Sequence, residues 1–296
     1  MDGRFTLAEP PGFVAHGGDH LPGDGRWLLD IGGFVVRAGE RLIMIDAGAG
    51  QGNDEVFKAD PFTTLEESPP ALQAYVKHLG LTDPMMIAGL LRSMAITDIR
   101  TGSFGDSLNK LGFQPSDFTD VLISHMHFDH IGWVSKGGQP FFPNAVIRCE
   151  RHDAEYFLAP DTDDSFYEAM WGAMPTSARM APVLDRFEPW DEDTTIAPGV
   201  DCRFSPGHTP GSSIFAITSG RKQALILGDT VHCPQELVDP QFQLGSDMDM
   251  ELADRTREAI RHEAGDEVYF GAPHFPDLKF GRILPGDRAM TWQVKA

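Results

Sequence analysis

The chain has 296 residues and a formal net charge of −20, from 24 basic and 44 acidic side chains. Such a surface repels phosphate backbones and anionic membranes, which argues against a nuclease or any other partner in nucleic acid or lipid. Hydrophobic residues make up 41% and aromatics 10%, enough for a real core and unlike a disordered composition, so one large domain spanning 1–296 with an elaboration is expected.

The opening "MDGRFTLAEPPGF" has neither the basic nor the apolar region of a signal peptide. No apolar run approaches the ~18 residues of a transmembrane helix. Cys149, Cys202 and Cys233 form no C-x-x-C pair, and their odd count fits a reduced cytoplasm. "GGFVVRAGERLIMIDAGAG" (32–50) reads as two strands around a turn at Ala38-Gly39-Glu40, the second ending in Asp46. Residues 51–105 change character. "SPPALQAYVKHLGLTDPMMIAGLLRSM" spaces its apolar residues helically, with breaks at Gly80 and Pro84. This is a helical insertion, read as a lid or a homodimer surface, with Met85, Met86 and Met94 as packing residues.

"GDSLNKLGFQPSDFTDVLISH" predicts an amphipathic helix, a loop and a buried strand at Val121–Ile123. "NAVIRCE" (144–150) predicts a strand, "RHDAEYFLA" the start of a helix, and 160–182 no clear pattern. "DCRFSPGHTPGSSIFAITSGRKQALILGDT" reads as three strands separated by turns and ending at Asp229. "MELADRTREAIRHEA" (250–264) is a helix, and "EVYFGAPHFP" is the last strand, running into a loop. Hairpins outnumber βαβ crossovers, so the expected class is α/β with mixed sheets covered by helices.

The chemistry concentrates in "LISHMHFDHIGWV" (122–134). On an extended chain His125 and His127 share a face, so both imidazoles can address one spot beyond the preceding strand. Asp129 and His130, where the chain turns, can address a second. Burying these groups without a cation would be costly, and the donor types suit zinc, manganese, iron or cobalt. His208, Asp229 and His274 occupy equivalent strand ends and supply further ligands. A carboxylate such as Asp229 can bridge two cations. No G-x-S-x-G elbow is present, which speaks against a serine hydrolase.

H-M-H-F-D-H, P-G-H-T-P-G, G-D-T and a late histidine, in that order, resemble the metallo-β-lactamase superfamily. The resemblance implies an αββα sandwich of two mixed sheets flanked by helices, and a dinuclear centre at one edge. It implies His125, His127 and His208 on one metal, Asp129, His130 and His274 on the other, and Asp229 between them. It also implies that Asp46 orients a ligand. Two close divalent ions, zinc first among them, would share a water and lower its pKa, giving a bridging hydroxide that attacks the substrate. Asp129 would then carry a proton to the leaving group.

"GDTVHCPQELVDPQF", "DMELADRTREAI" and "GAPHFPDLKFGRI" resemble the branch holding N-acyl-homoserine lactonases and methyl-parathion-type hydrolases. This implies a small-molecule lactone, ester or phosphotriester as substrate. Lactonases of that branch often carry tyrosine three residues after the bridging aspartate. Here that residue is His232, either a catalytic donor to the substrate or a packed histidine. Phe128, Trp133 and Phe275 are read as pocket-lining residues. An iron-dependent redox member, such as a sulfur dioxygenase, and a glyoxalase II-like thioesterase are the alternatives. The latter would use tail cations of the kind supplied by Lys279, Arg282 and Arg288.

Overall fold

In the computed structural model, which describes residues 3–8, 26–50, 64–78, 80–85, 87–88, 91, 98–100, 104–162, 173–242, 246–285 and 290–295, two sheets carry the architecture. The larger has seven strands in chain order: Thr194–Ala197, Val200–Phe204, Ser213–Ser219, Lys222–Ile226, Val268–Gly271, Gly281–Pro285 and Met290–Val294. Only Lys222–Ile226 and Val268–Gly271 pair in parallel. The smaller sheet orders Phe34–Ala38, Arg41–Ile45, Asp120–Leu122 and Val146–Arg148, with one antiparallel and two parallel pairings.

Strand alternation sorts the side chains into layers. Ile43, Ile45 and Leu122 of the small sheet meet Val200, Cys202, Phe215 and Ile226 of the large one in a shared buried cluster. Leu42, Met44 and Val121 point the other way, onto Phe104 and Leu108 of the helix Phe104–Lys110. On the far side Ile214, Ala216 and Leu225 pack with Leu237 and with Ile260 of the helix Met250–His262. Burying each large side chain is worth roughly 1.5–3 kcal/mol, so a one-residue slip in either sheet would forfeit both of its faces. The result is the helix–sheet–sheet–helix order expected from the sequence.

The structure differs from the sequence reading at both ends. Gly281–Pro285 and Met290–Val294 follow the strand read as last and extend the large sheet. Near the N-terminus, Gly3–Ala8 pairs with Arg26–Ile31 and with Asp98–Arg100 in a three-stranded sheet that alternation did not reveal. The insertion read at 51–105 is described in part, and Met86 and Met94 lie outside the described residues. Its described helix, Pro70–His78, buries Leu72 and Val76, four positions apart on one face. Met85 is 83% exposed and is therefore not a packing residue. Among the described residues no helix is long and apolar enough to cross a membrane.

Candidate metal centre

Topology brings the predicted residues to one edge. Arg41–Ile45 and Asp120–Leu122 are parallel neighbours, so Asp46 and the His125 loop leave the small sheet together. Lys222–Ile226 and Val268–Gly271 are also parallel, which sends Asp229 and His274 off a common end of the large sheet. Val200–Phe204, two antiparallel steps away, points the same way and delivers His208. The backbone of Ser213 donates to the carbonyl of Ser124 at 2.9 Å, joining the two edges. Glycine permits the close approaches. A Cβ on Gly132 would lie 2.0 Å from the Ala49 carbonyl carbon, and one on Gly228, at φ +51°, would lie 2.6 Å from Ser124 Cβ.

His125, His127 and His208 form one group of buried ligand atoms. His127 Nδ1 lies 2.9 Å from His125 Nε2 and 3.0 Å from His208 Nε2. Asp129, His130, Asp229 and His274 form a second group. In it, His274 Nε2 is 3.2 Å from Asp129 Oδ2, and His130 Nε2 is 3.6 Å from the same oxygen. Asp229 faces both. Its Oδ1 lies 3.2 Å from His130 Nε2 and 3.3 Å from His274 Nε2. Its Oδ2 lies 3.6 Å from His208 Nε2 and 3.8 Å from His125 Nε2.

The residues fit a pair of cations on the chemistry of the donors: a buried group of three imidazoles and a buried group of two imidazoles and two carboxylates meet at Asp229. His130 Nε2 and Asp229 Oδ1, both buried, have no well-formed hydrogen bond, although each aims into the centre. The electrostatics agree. Burial, and then the neighbouring imidazoles, depress protonation of His125, and His127 is brought down to about 3. In the second group burial opposes the charged ring, but the carboxylates prevail. Asp229, Asp129 and Asp46 hold His130 well above its ordinary value, and Asp229 and Asp129 raise His274 to about 10. Positive charge is thus favoured where the acidic residues converge.

The surroundings fix ring orientation. Asp46 is fully buried at φ +57° and accepts from Ser124 N at 2.8 Å, Ser124 Oγ at 2.9 Å and His130 Nδ1 at 3.1 Å. A proton on Nδ1 leaves the Nε2 lone pair directed into the centre. His274 Nδ1 donates to the Asp30 carbonyl at 2.6 Å, and His208 Nδ1 to Asp247 Oδ1 at 3.2 Å. Asp153 ties the two histidine loops together, accepting from Met126 N at 2.8 Å and Gly211 N at 2.6 Å. Asp30, Asp153 and Asp247 escaped the sequence reading because none stands in a histidine motif.

His232 borders the centre, with Nε2 3.5 Å from Asp229 Oδ2 and 3.1 Å from Ser246 Oγ. Glu236 Oε2 accepts from its backbone nitrogen at 2.6 Å and lies 3.4 Å from Nδ1, an ion-pair contact rather than a well-formed hydrogen bond. Burial disfavours charge on this ring, but Asp229 and Glu236 raise its pKa. Two pocket assignments need correction. Phe275 is fully buried, edge-on to Trp292, and Trp133 is 2% exposed and stacked on Phe104 at 6.0 Å. Both are core, because the short turns beside the histidines fold back into the hydrophobic layers. Phe128, half-buried, opens the short helix Phe128–Ile131.

The chain is similar to several known proteins. N-acyl homoserine lactonase AiiA of Bacillus thuringiensis subsp. kurstaki is 27% identical over 167 residues, 55% of this chain and 59% of the relative. A probable metallo-hydrolase of Mycobacterium tuberculosis is 26% identical over 182 residues, 58% of this chain and 56% of the relative. The chain thus spans under two thirds of the length of these curated relatives. Among solved structures, AidC, a dizinc quorum-quenching lactonase in complex with a product, N-hexanoyl-L-homoserine, superposes with a TM-score of 0.71 at 20% identity, covering 100% of this chain and 92% of the other. AbOPH, a hydrolase in the β-lactamase superfamily, gives 0.69 at 20% identity, covering 99% and 93%. The family model of the metallo-β-lactamase superfamily matches residues 33–271, a span that holds all of the histidine and aspartate motifs except His274, and the chain belongs to that superfamily.

Proposed function

We propose that this chain is a dinuclear metal-dependent hydrolase that opens a lactone, with esters and phosphotriesters as related substrates. The observation that carries the reading is the division of one carboxylate: Asp229 Oδ1 faces His130 and His274, while Oδ2 faces His125 and His208. His125, His127 and His208 would hold one cation, Asp129, His130 and His274 the other, and Asp229 both. When bound, two divalent ions, zinc by preference, make water acidic enough to ionise near neutral pH and polarise a carbonyl oxygen. Asp129 would receive a proton and return it to the leaving oxygen, while His232 would donate to the substrate. The lactonase relatives support the substrate class. The thioesterase alternative gains no support, since Lys279 pairs with Asp277 at 3.0 Å and Arg282 with Gln293 at 2.9 Å; Arg288 lies outside the described residues. The reading takes 1–296 as one domain acting on a small molecule.

The test pairs metal analysis of the purified protein with a pH-drop assay over a panel of lactones and esters. Two zinc-like ions per chain, with lactone turnover lost in a folded Asp229→Ala variant, are the expected result. Iron with thiol-dependent oxygen uptake, or a metal-loaded protein inert toward the whole panel, would reject lactone hydrolysis.

A further inference from the structure

Arg257 has a fully buried side chain, 1% exposed, on the helix Met250–His262. Its guanidinium reaches three acceptors. Nη2 donates to Asp247 Oδ2 and to Asp254 Oδ1, each at 2.9 Å, and Nη1 to the Thr230 carbonyl at 3.3 Å. Asp247 uses its other oxygen to accept from His208 Nδ1. Thr230 directly follows Asp229 in the chain. A single rigid fork therefore joins the hydrogen-bond partner of one imidazole to the backbone beside the shared carboxylate.

Burying an arginine ion pair is a poor way to gain stability, because desolvation offsets much of the attraction. A planar fork is nonetheless well suited to fixing a carboxylate in rotation. Without it, Asp247, 3% exposed, would keep His208 as its principal partner and could turn about its own side chain. His208 would then lose what holds its Nδ1 proton in place and its Nε2 lone pair toward His127 and Asp229.

We propose that Arg257 is a positioning residue for the His125, His127 and His208 group, acting on His208 through Asp247. The inference rests on the dinuclear reading above. Metal-free protein is titrated with zinc against a chromophoric chelator, wild type first, where two ions are expected. Arg257→Met should bind one ion about 10- to 100-fold more weakly and the other unchanged. In a His208→Ala background the same substitution should cost nothing further, because its route is already cut. Wild-type affinity for both ions in a folded Arg257→Met variant, or losses that add in the double variant, would overturn the proposal. If Arg257→Met does not fold, Asp247→Asn decides: it preserves shape, and unchanged affinity for both ions would reject the idea. Fewer than two ions on the wild type defeats the dinuclear reading itself, whereas failure confined to the variants falls on Arg257 alone.

Discussion

Asp46→Asn is a nearly isosteric change at a residue that touches no substrate, and it should nonetheless weaken metal binding. Asparagine tolerates the left-handed backbone at φ +57°, so the turn should survive. The amide has one acceptor oxygen where the carboxylate had two. Ser124 N, at 2.8 Å, keeps that oxygen, which leaves the NH2 group facing Ser124 Oγ at 2.9 Å and His130 Nδ1 at 3.1 Å. The hydroxyl can rotate and accept. His130 cannot keep a proton on Nδ1 against an N–H donor, so the proton moves to Nε2. That nitrogen lies 3.2 Å from Asp229 Oδ1, and once protonated it has no lone pair for a cation. The expected loss is 10- to 100-fold for the ion that His130 would hold, about 1.4–2.8 kcal/mol. Chelator-competition titration reads the affinity, and nitrogen NMR of the imidazoles reads the tautomer. An Asp46→Asn protein that binds both ions as tightly as wild type would refute the tautomer argument.

Asp153→Ala strands two buried backbone donors, Met126 N and Gly211 N, at about 1–3 kcal/mol each; urea unfolding of the metal-free protein should show a loss of about 2–6 kcal/mol, and a loss below about 1 would deny the clamp. Gly132→Ala sets a Cβ 2.0 Å from Ala49 C and 2.1 Å from Gly50 N, both backbone atoms. Overpacking of this kind costs about 1–3 kcal/mol, read as a lower Tm, and an unchanged Tm would mean that the turn carrying Asp129 and His130 yields freely. Asp247 gives a pH signature. Burial opposes ionisation, but the His208 hydrogen bond and the Arg257 charge bring its pKa to about 2. A folded value below the ordinary 3.8 means stability present above about pH 4 and lost as pH falls toward 2. Asp247→Asn should therefore flatten the stability-against-pH curve of the metal-free protein in that window, and an unaltered slope would contradict the assignment.

Local pattern was enough to reveal most of the large-sheet strands and the histidines and aspartates that the fold gathers at one edge. Val, Ile and Leu in short runs bounded by Gly and Pro have few other folds open to them. An H-x-H-x-D-H cluster cannot be buried cheaply without a cation, and its residues are adjacent in the chain. The same logic does not reach contacts between distant segments. Asp30 holds His274 from 244 positions away, Asp153 sits in a stretch that reads as an ordinary helix start, and Asp247 precedes the helix read at 250–264. Phe275 and Trp133 looked like pocket walls because they neighbour ligands, but the fold turns them inward to the hydrophobic layers. The sequence by itself determined the layers and the residue types that gather at the sheet edge, since alternation and residue type are local properties. Only the tertiary structure decided which oxygen of Asp229 faces which histidines and which proton each imidazole keeps, because both depend on where two sheet edges and a buried arginine meet.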